Sequence, residues 1–199
     1  MTPTNPAEVL KEMSGEHESH PKHNLTGFII FLCSESVIFL AFFSGYAILK
    51  LNALDWYPPG VDGLEITMPL INTIVLVSSS GTIALAEHFK SREKLPLFRA
   101  FWLLSMLMGL YFLYGQAVEW SGLRFGFDSG SFGGMFYLLT GFHGLHVATG
   151  ILLMTIMLIR SFIPGNYEGG EQGVQATSLF WHFVDVIWIL LFVLLYLWS

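Results

Sequence analysis

The stretch "GFIIFLCSESVIFLAFFSGYAIL", Gly27 to Leu49, decides the fold. It holds a single charged residue, Glu35, in a run long enough to cross the roughly 30 Å of bilayer hydrocarbon, which takes about 20 apolar residues in a helix. Four further runs meet the same requirement: about Met68 to Ala86, Ala100 to Val118, Phe132 to Ile159 and Leu179 to Trp198. The chain of 199 residues is 53% hydrophobic and only 12% charged, with 18 Phe, and its mean hydropathy is +0.59. These values depart from the soluble average towards a membrane protein. The expected fold is all-α, a polytopic bundle of five transmembrane helices over residues 25–199, preceded by a polar tail over residues 1–24.

Charge placement sets the expected orientation. The tail and the second and fourth connections carry Lys11, Lys22, Lys90, Arg92, Lys94, Arg99 and Arg160, whereas the other side has only Lys50 and Arg124. Cytoplasmic loops accumulate Lys and Arg, so the N-terminus is expected in the cytoplasm and the C-terminus outside. Trp56, Tyr57, Trp120, Tyr196 and Trp198 then fall at the outer interface, where aromatic anchors belong. The start of the chain has no signal-peptide pattern, because its first apolar run is already of spanning length. The net charge of −6 gives no reason to expect a nucleic acid partner.

Small residues let helices approach closely in lipid. Thr140, Gly144 and Ala148 recur every four residues on the fourth helix, as do Ser78, Thr82 and Ala86 on the second, and both rows are expected to be packing faces.

Candidate chemistry lies in the ionisable residues inside the spans. Glu35 would cost roughly 2.5 to 3.5 kcal/mol on insertion scales if it were ionised and facing lipid at mid-helix. It must therefore face protein, headgroup or water, or be protonated. At about 1.5 Å of rise per residue, Glu35 lies roughly 12 Å and Asp185 roughly 9 Å from helix starts on the same side of the membrane. His182 precedes Asp185 by three residues, so the two share a helical face and are able to bond each other. That pair reads first as a polar staple between helices and second as a proton-handling group.

His143 and His146 face broadly one way, and bonding to neighbouring helices or lipid headgroups explains them at lower cost than a metal. The tail histidines His17, His20 and His23 read as solvated. Glu65, Glu87 with His88, and Glu119 read as markers of the water interface.

A redox catalyst with two haems and a copper would need about six buried histidines, and the spans hold three. Cys33 is the only cysteine, so neither an intrachain disulfide nor a two-sulfur copper centre is possible within the chain. No G-x-S-x-G or His-rich di-iron pattern is present. No catalytic residue and no metal site are therefore expected here.

Five motifs, taken in order, resemble subunit III of the haem-copper terminal oxidases: "LCSESVIFLAFFSGY", "MPLINTIVLVSSSGT", "GLYFLYGQAVEW", "LTGFHGLHVATG" and "LFWHFVDVIWILLFVLLYLW". The resemblance runs from Leu25 to the C-terminus. It implies a cofactor-free subunit beside the catalytic one, with haems and copper in partner subunits I and II, phospholipids in its grooves, and cytochrome c met through another subunit. It also implies that Glu35 is the family's buried, carbodiimide-reactive carboxyl, and that the subunit supports proton uptake and protects the catalytic subunit during turnover. The matching part begins at the equivalent of the mitochondrial third helix, as in many five-helix bacterial members. The implied location is a bacterial cell membrane or another energy-transducing membrane.

A quinol oxidase of the same superfamily is the nearest rival, though aspartate is more often expected there at the Glu35 position. A free-standing proton-coupled carrier is the remote one. It would show broken helices or an internal repeat, and neither is visible.

Overall fold

The computed structural model describes residues 21–163 and 171–198. Five long helices account for nearly all of them: α1 (Pro21–Asn52), α2 (Thr67–Ser91), α3 (Leu95–Gly122), α4 (Gly130–Arg160) and α5 (Glu171–Phe192), the last running on into a π-helical turn, Val193–Leu197. All five are long and apolar enough to cross a membrane. The helices run past the expected spans at most ends, because a helix satisfies its own backbone bonds in headgroup and water as well as in lipid. The backbone is helical from Pro21, within the segment read as a tail, while residues 1–20, with His17 and His20, lie outside the described residues.

α2 and α3 form the most extensive pairing, joined by a turn so tight that Glu93 adopts a left-handed conformation with φ of 59°. α2, α3, α4 and α5 close into a ring, and α1 lies against α5 and α4. α1 is the least buried span and α5 the most. α1 presents Ile30, Val37, Leu40 and Ile48 outward, which suits a helix whose far side meets lipid or another protein.

The packing faces differ from the expected four-residue rows. On α4 the buried positions are Phe136, Leu139, Thr140, His143, His146, Val147, Gly150 and Met154, while Gly144 is only half-buried and Ala148 is exposed. On α2 the buried set includes Asn72, Leu76, Ser79, Ile83 and Ala86, with Ser78 exposed. The cause is geometric. Four residues turn a helix through about 400°, so a strict four-residue row drifts about 40° per step and leaves the face. The observed faces alternate steps of three and four, which cancels the drift.

The close approaches centre on Trp181 of α5. A Cβ added at Gly109 of α3 would lie 2.5 Å from its Cη2, and one added at Gly150 of α4 would lie 2.7 Å from its Cε3. The indole ring thus fills a slot that only two glycines leave open. Its Nε1–H donates to Ser79 Oγ of α2 at 2.8 Å, so one side chain touches all four helices of the ring. Two other tryptophans repeat the device: Trp102 Nε1–H donates to the Met154 carbonyl at 2.9 Å, and Trp188 Nε1–H donates to Thr73 Oγ1 at 2.9 Å. In a medium without water an indole N–H needs such an acceptor.

The helix ends are tied by cations. Lys50 of α1 bonds the Trp198 carbonyl and lies 4.8 Å from the centroid of that ring. At the opposite end Arg99 bonds Ser161 and stands 4.0 Å from the Phe162 ring. Both have long stems with the charged head near a helix end, the arrangement by which such residues reach the interface.

Candidate functional site

The ionisable residues within the spans sort into three polar nodes and one sealed histidine. In the first node, Glu35 of α1 meets His146 of α4, with Oε2 and Nε2 separated by 3.2 Å. The His146 ring is held by Phe39, Phe142 and Phe180, with centroids 5.0, 4.8 and 6.1 Å away. Its Nδ1 lies 2.9 Å from the Phe142 carbonyl. A carbonyl only accepts, so Nδ1 carries hydrogen, and in a neutral ring Nε2 is then an acceptor. The contact with Glu35 therefore holds one proton, either as carboxylic acid and imidazole or as carboxylate and imidazolium. Both forms have zero net charge.

The second node joins α2 and α5. Ser80 Oγ lies 2.9 Å from His182 Nδ1 and also bonds Asp185 Oδ2. The direct His182–Asp185 bond expected from their spacing is replaced by this bridge. Asp185 is buried, and its Oδ1 has no partner among the described residues. Ser80→Ala would leave both carboxyl oxygens without a bond, a loss of about 1–3 kcal/mol. Ser80→Ala with Asp185→Leu should recover most of it, as apolar replacement of both partners often does. Thermal unfolding of the two variants in detergent checks this; equal losses would contradict it.

The third node lies near the end of α3, where Glu119, a candidate structural or lipid-contact polar residue as well as an interface marker, ties two helices together. Glu119 accepts a bond from Gln116 Nε2 at 3.0 Å and another from Tyr196 Oη at 2.7 Å, joining α3 to the π-helical turn. The carboxyl faces inward because the widened turn, closed by Trp198 N–H to the Val193 carbonyl at 2.8 Å, keeps Leu195 and Tyr196 on the buried side. The sequence marks Tyr196 only as an outer-interface aromatic and does not single out Gln116. The spacing of Gln116 and Glu119, three apart on one helix, was the available signal.

His143 makes no hydrogen bond to a neighbouring helix among the described residues. It is wholly buried against Trp188, 4.9 Å between centroids, and Phe112, 5.7 Å, and neither ring nitrogen has a hydrogen-bond partner among the described residues. Its three-residue offset from His146 is about 60° of helix rotation, enough to send one ring into the core and the other to α1. Among the described residues no three His, Cys, Asp or Glu side chains gather in a group able to hold a metal ion.

A five-helix bundle of this kind, with its intramembrane carboxyls bonded across helices, defines a polytopic α-helical membrane protein. Comparison with known proteins supplies the family. A family model described as cytochrome c oxidase subunit III matches residues 7–199. The chain is 41% identical over 183 residues to cytochrome c oxidase subunit 3 of Synechocystis sp., covering 91% of this chain and 78% of that one. It is 40% identical over 182 residues to the Thermostichus vulcanus protein of the same name, covering 91% and 90%. The chimpanzee protein, Pan troglodytes, is 36% identical over 202 residues, covering 96% and 77%. The chain belongs to the cytochrome c oxidase subunit III family. It is thus an accessory subunit of a terminal oxidase, and the quinol-oxidase reading is not favoured.

Proposed function

We propose that this chain flanks the haem- and copper-bearing subunit I of a proton-pumping cytochrome c oxidase, alongside subunit II, in a bacterial cell membrane or another energy-transducing membrane. It holds no redox group itself and meets cytochrome c only through its partners. The excess of Lys and Arg on the side of Arg99 and Arg160 supports a cytoplasmic N-terminus. Its role is to keep the catalytic subunit intact during turnover and to support proton uptake from that side.

The observation that carries this reading is the Glu35–His146 contact, which has a place for one proton between two helices and is only partly closed, with side-chain exposures of 18% and 11%. Intramembrane ionisable pairs of this kind mark proton-handling sites. Asp185, with one oxygen free, is the second candidate.

Glu35→Gln tests the reading. The amide can donate to Nε2 and keep the helices joined, yet it cannot exchange a proton at that point. Assembly and haem content should be unchanged. Turnover or its inactivation rate should change by at most about threefold, well below the roughly 10²–10⁴ of a general acid or base at a reacting atom. Failure of the variant to assemble would make Glu35 a structural staple only.

A further inference from the structure

Where α2 begins and α3 finishes, the two helices and the loop that joins α1 to α2 enclose a cavity of about 640 Å³. That volume lies in the range of small-molecule sites. Asn72 of α2 lines it, only 4% exposed, and its side chain makes no hydrogen bond among the described residues. The amide is held in place by Gly115 of α3, where an added Cβ would lie 2.3 Å from Nδ2 and 2.4 Å from Oδ1. A buried amide that cannot turn away and has no partner marks a place where something binds.

Charge indicates the kind of ligand. Glu119 lines the cavity four residues after Gly115, so it stands one turn along the same face of α3 from the Asn72 amide. Its two bonds come from Gln116 and Tyr196, both neutral donors. Asp62 and Glu65, exposed on the loop, add two further carboxyls, and Arg124 is the one cation in the lining. Among the described residues no three acidic, His or Cys side chains gather closely enough to hold a metal ion. The other end of the cavity is aromatic: Tyr111 lies eight residues before Glu119, about 12 Å along the helix, and Tyr114 is exposed on the same wall.

We propose that this cavity is a site for a small organic cation, an arylalkyl amine, with its ammonium between Asn72 and Glu119 and its ring against Tyr111. A primary ammonium has three N–H donors. The Asn72 Oδ1 and a Glu119 oxygen accept two of them, and the loop carboxylates supply the remaining acceptor. A quaternary ammonium offers no donor, and an anion meets three carboxyls against one guanidinium. The aromatic end takes the apolar body of the ligand, whose burial adds affinity in proportion to its area. Only α2, α3 and the loop before α2 build the site, so it stands apart from the subunit's place in an oxidase.

The test is calorimetric. The chain is purified in mild detergent with whatever complex it occupies and titrated at neutral pH with 4-phenylbutylamine, the matching alcohol 4-phenylbutanol and the matching acid 4-phenylbutanoate, each corrected by titration of detergent alone. Alkyl amines titrate at about 10, so the first probe is a cation under these conditions. One amine should bind per chain, at least about tenfold tighter than the alcohol, since a charge-assisted hydrogen bond is exchanged for a neutral one, and the acid should not bind. Glu119→Gln keeps an acceptor for Tyr196 and should weaken the amine about tenfold, as should Asn72→Leu. Asp62→Asn with Glu65→Gln, on an exposed loop where folding is not at stake, should weaken it about threefold. Equal binding of amine and alcohol, or an amine affinity unchanged in Asn72→Leu and in the loop variant, would overturn the proposal.

Discussion

Trp181→Ala should unfold the core of the bundle before any other single truncation does. The side chain is fully buried, lies between Gly109 and Gly150, and bonds Ser79, so its removal empties a slot shared by α2, α3, α4 and α5. Large-to-small changes of a buried tryptophan cost about 3–5 kcal/mol. In lipid that loss falls on packing, since burial in hydrocarbon supplies little drive between helices. The expected result is a large fall in the unfolding temperature in detergent and loss of the chain from a purified complex. Trp181→Phe keeps most of the volume and loses the bond to Ser79, so a much smaller fall is expected. Equal falls for the two variants would show that the hydrogen bond, not the ring, holds the helices.

Gly150→Ala is the reciprocal experiment, adding one methyl where there is no room. The new Cβ would meet Cε3 and Cζ3 of Trp181 at 2.7 and 2.9 Å. The ring cannot retreat, because Gly109 backs its opposite edge, Cη2 and Cζ2, at 2.5 and 3.0 Å from where a Cβ would stand. Overpacking of this kind costs about 1–3 kcal/mol. The loss should disappear in a Trp181→Leu background, where the clashing edge is gone, giving a strong coupling in a double-mutant cycle on unfolding temperatures. An unchanged penalty in that background would place the clash elsewhere.

Much of this architecture is legible in the amino acids, and the rest is not, for one physical reason. Run length and polarity identify five membrane-spanning helices, because bilayer thickness fixes how many apolar residues a span needs. The same reasoning says that Glu35 and Asp185 need partners, since a charge in hydrocarbon is costly. It does not say which partners. Glu35 finds His146 and Asp185 finds Ser80, both on other helices, and such pairings depend on the rotation and depth of each helix. The four-residue rows on α2 and α4 failed for the same reason: a drift of about 40° per step decides whether Ala148 or Gly150 faces the core. Glu119 looked peripheral because it stands near the end of α3, and the π-helical turn that brings Tyr196 to it leaves no mark in the hydrophobic pattern.

The family resemblance rested on five motifs spread over five helices, and the matching family model covers residues 7–199. What the motifs carry beyond identity is the register of the bundle. "GLYFLYGQAVEW" begins at Gly109, "LTGFHGLHVATG" ends at Gly150, and "LFWHFVDVIWILLFVLLYLW" contains Trp181. Those three residues form the tightest junction of the fold.

The most direct test is to tag this chain, extract it from its membrane in mild detergent, and record the subunit composition with a reduced-minus-oxidised spectrum. Larger hydrophobic partners bearing haem bands, together with oxygen consumption driven by reduced cytochrome c, are the predicted result. A colourless, solitary chain under gentle extraction would contradict the account.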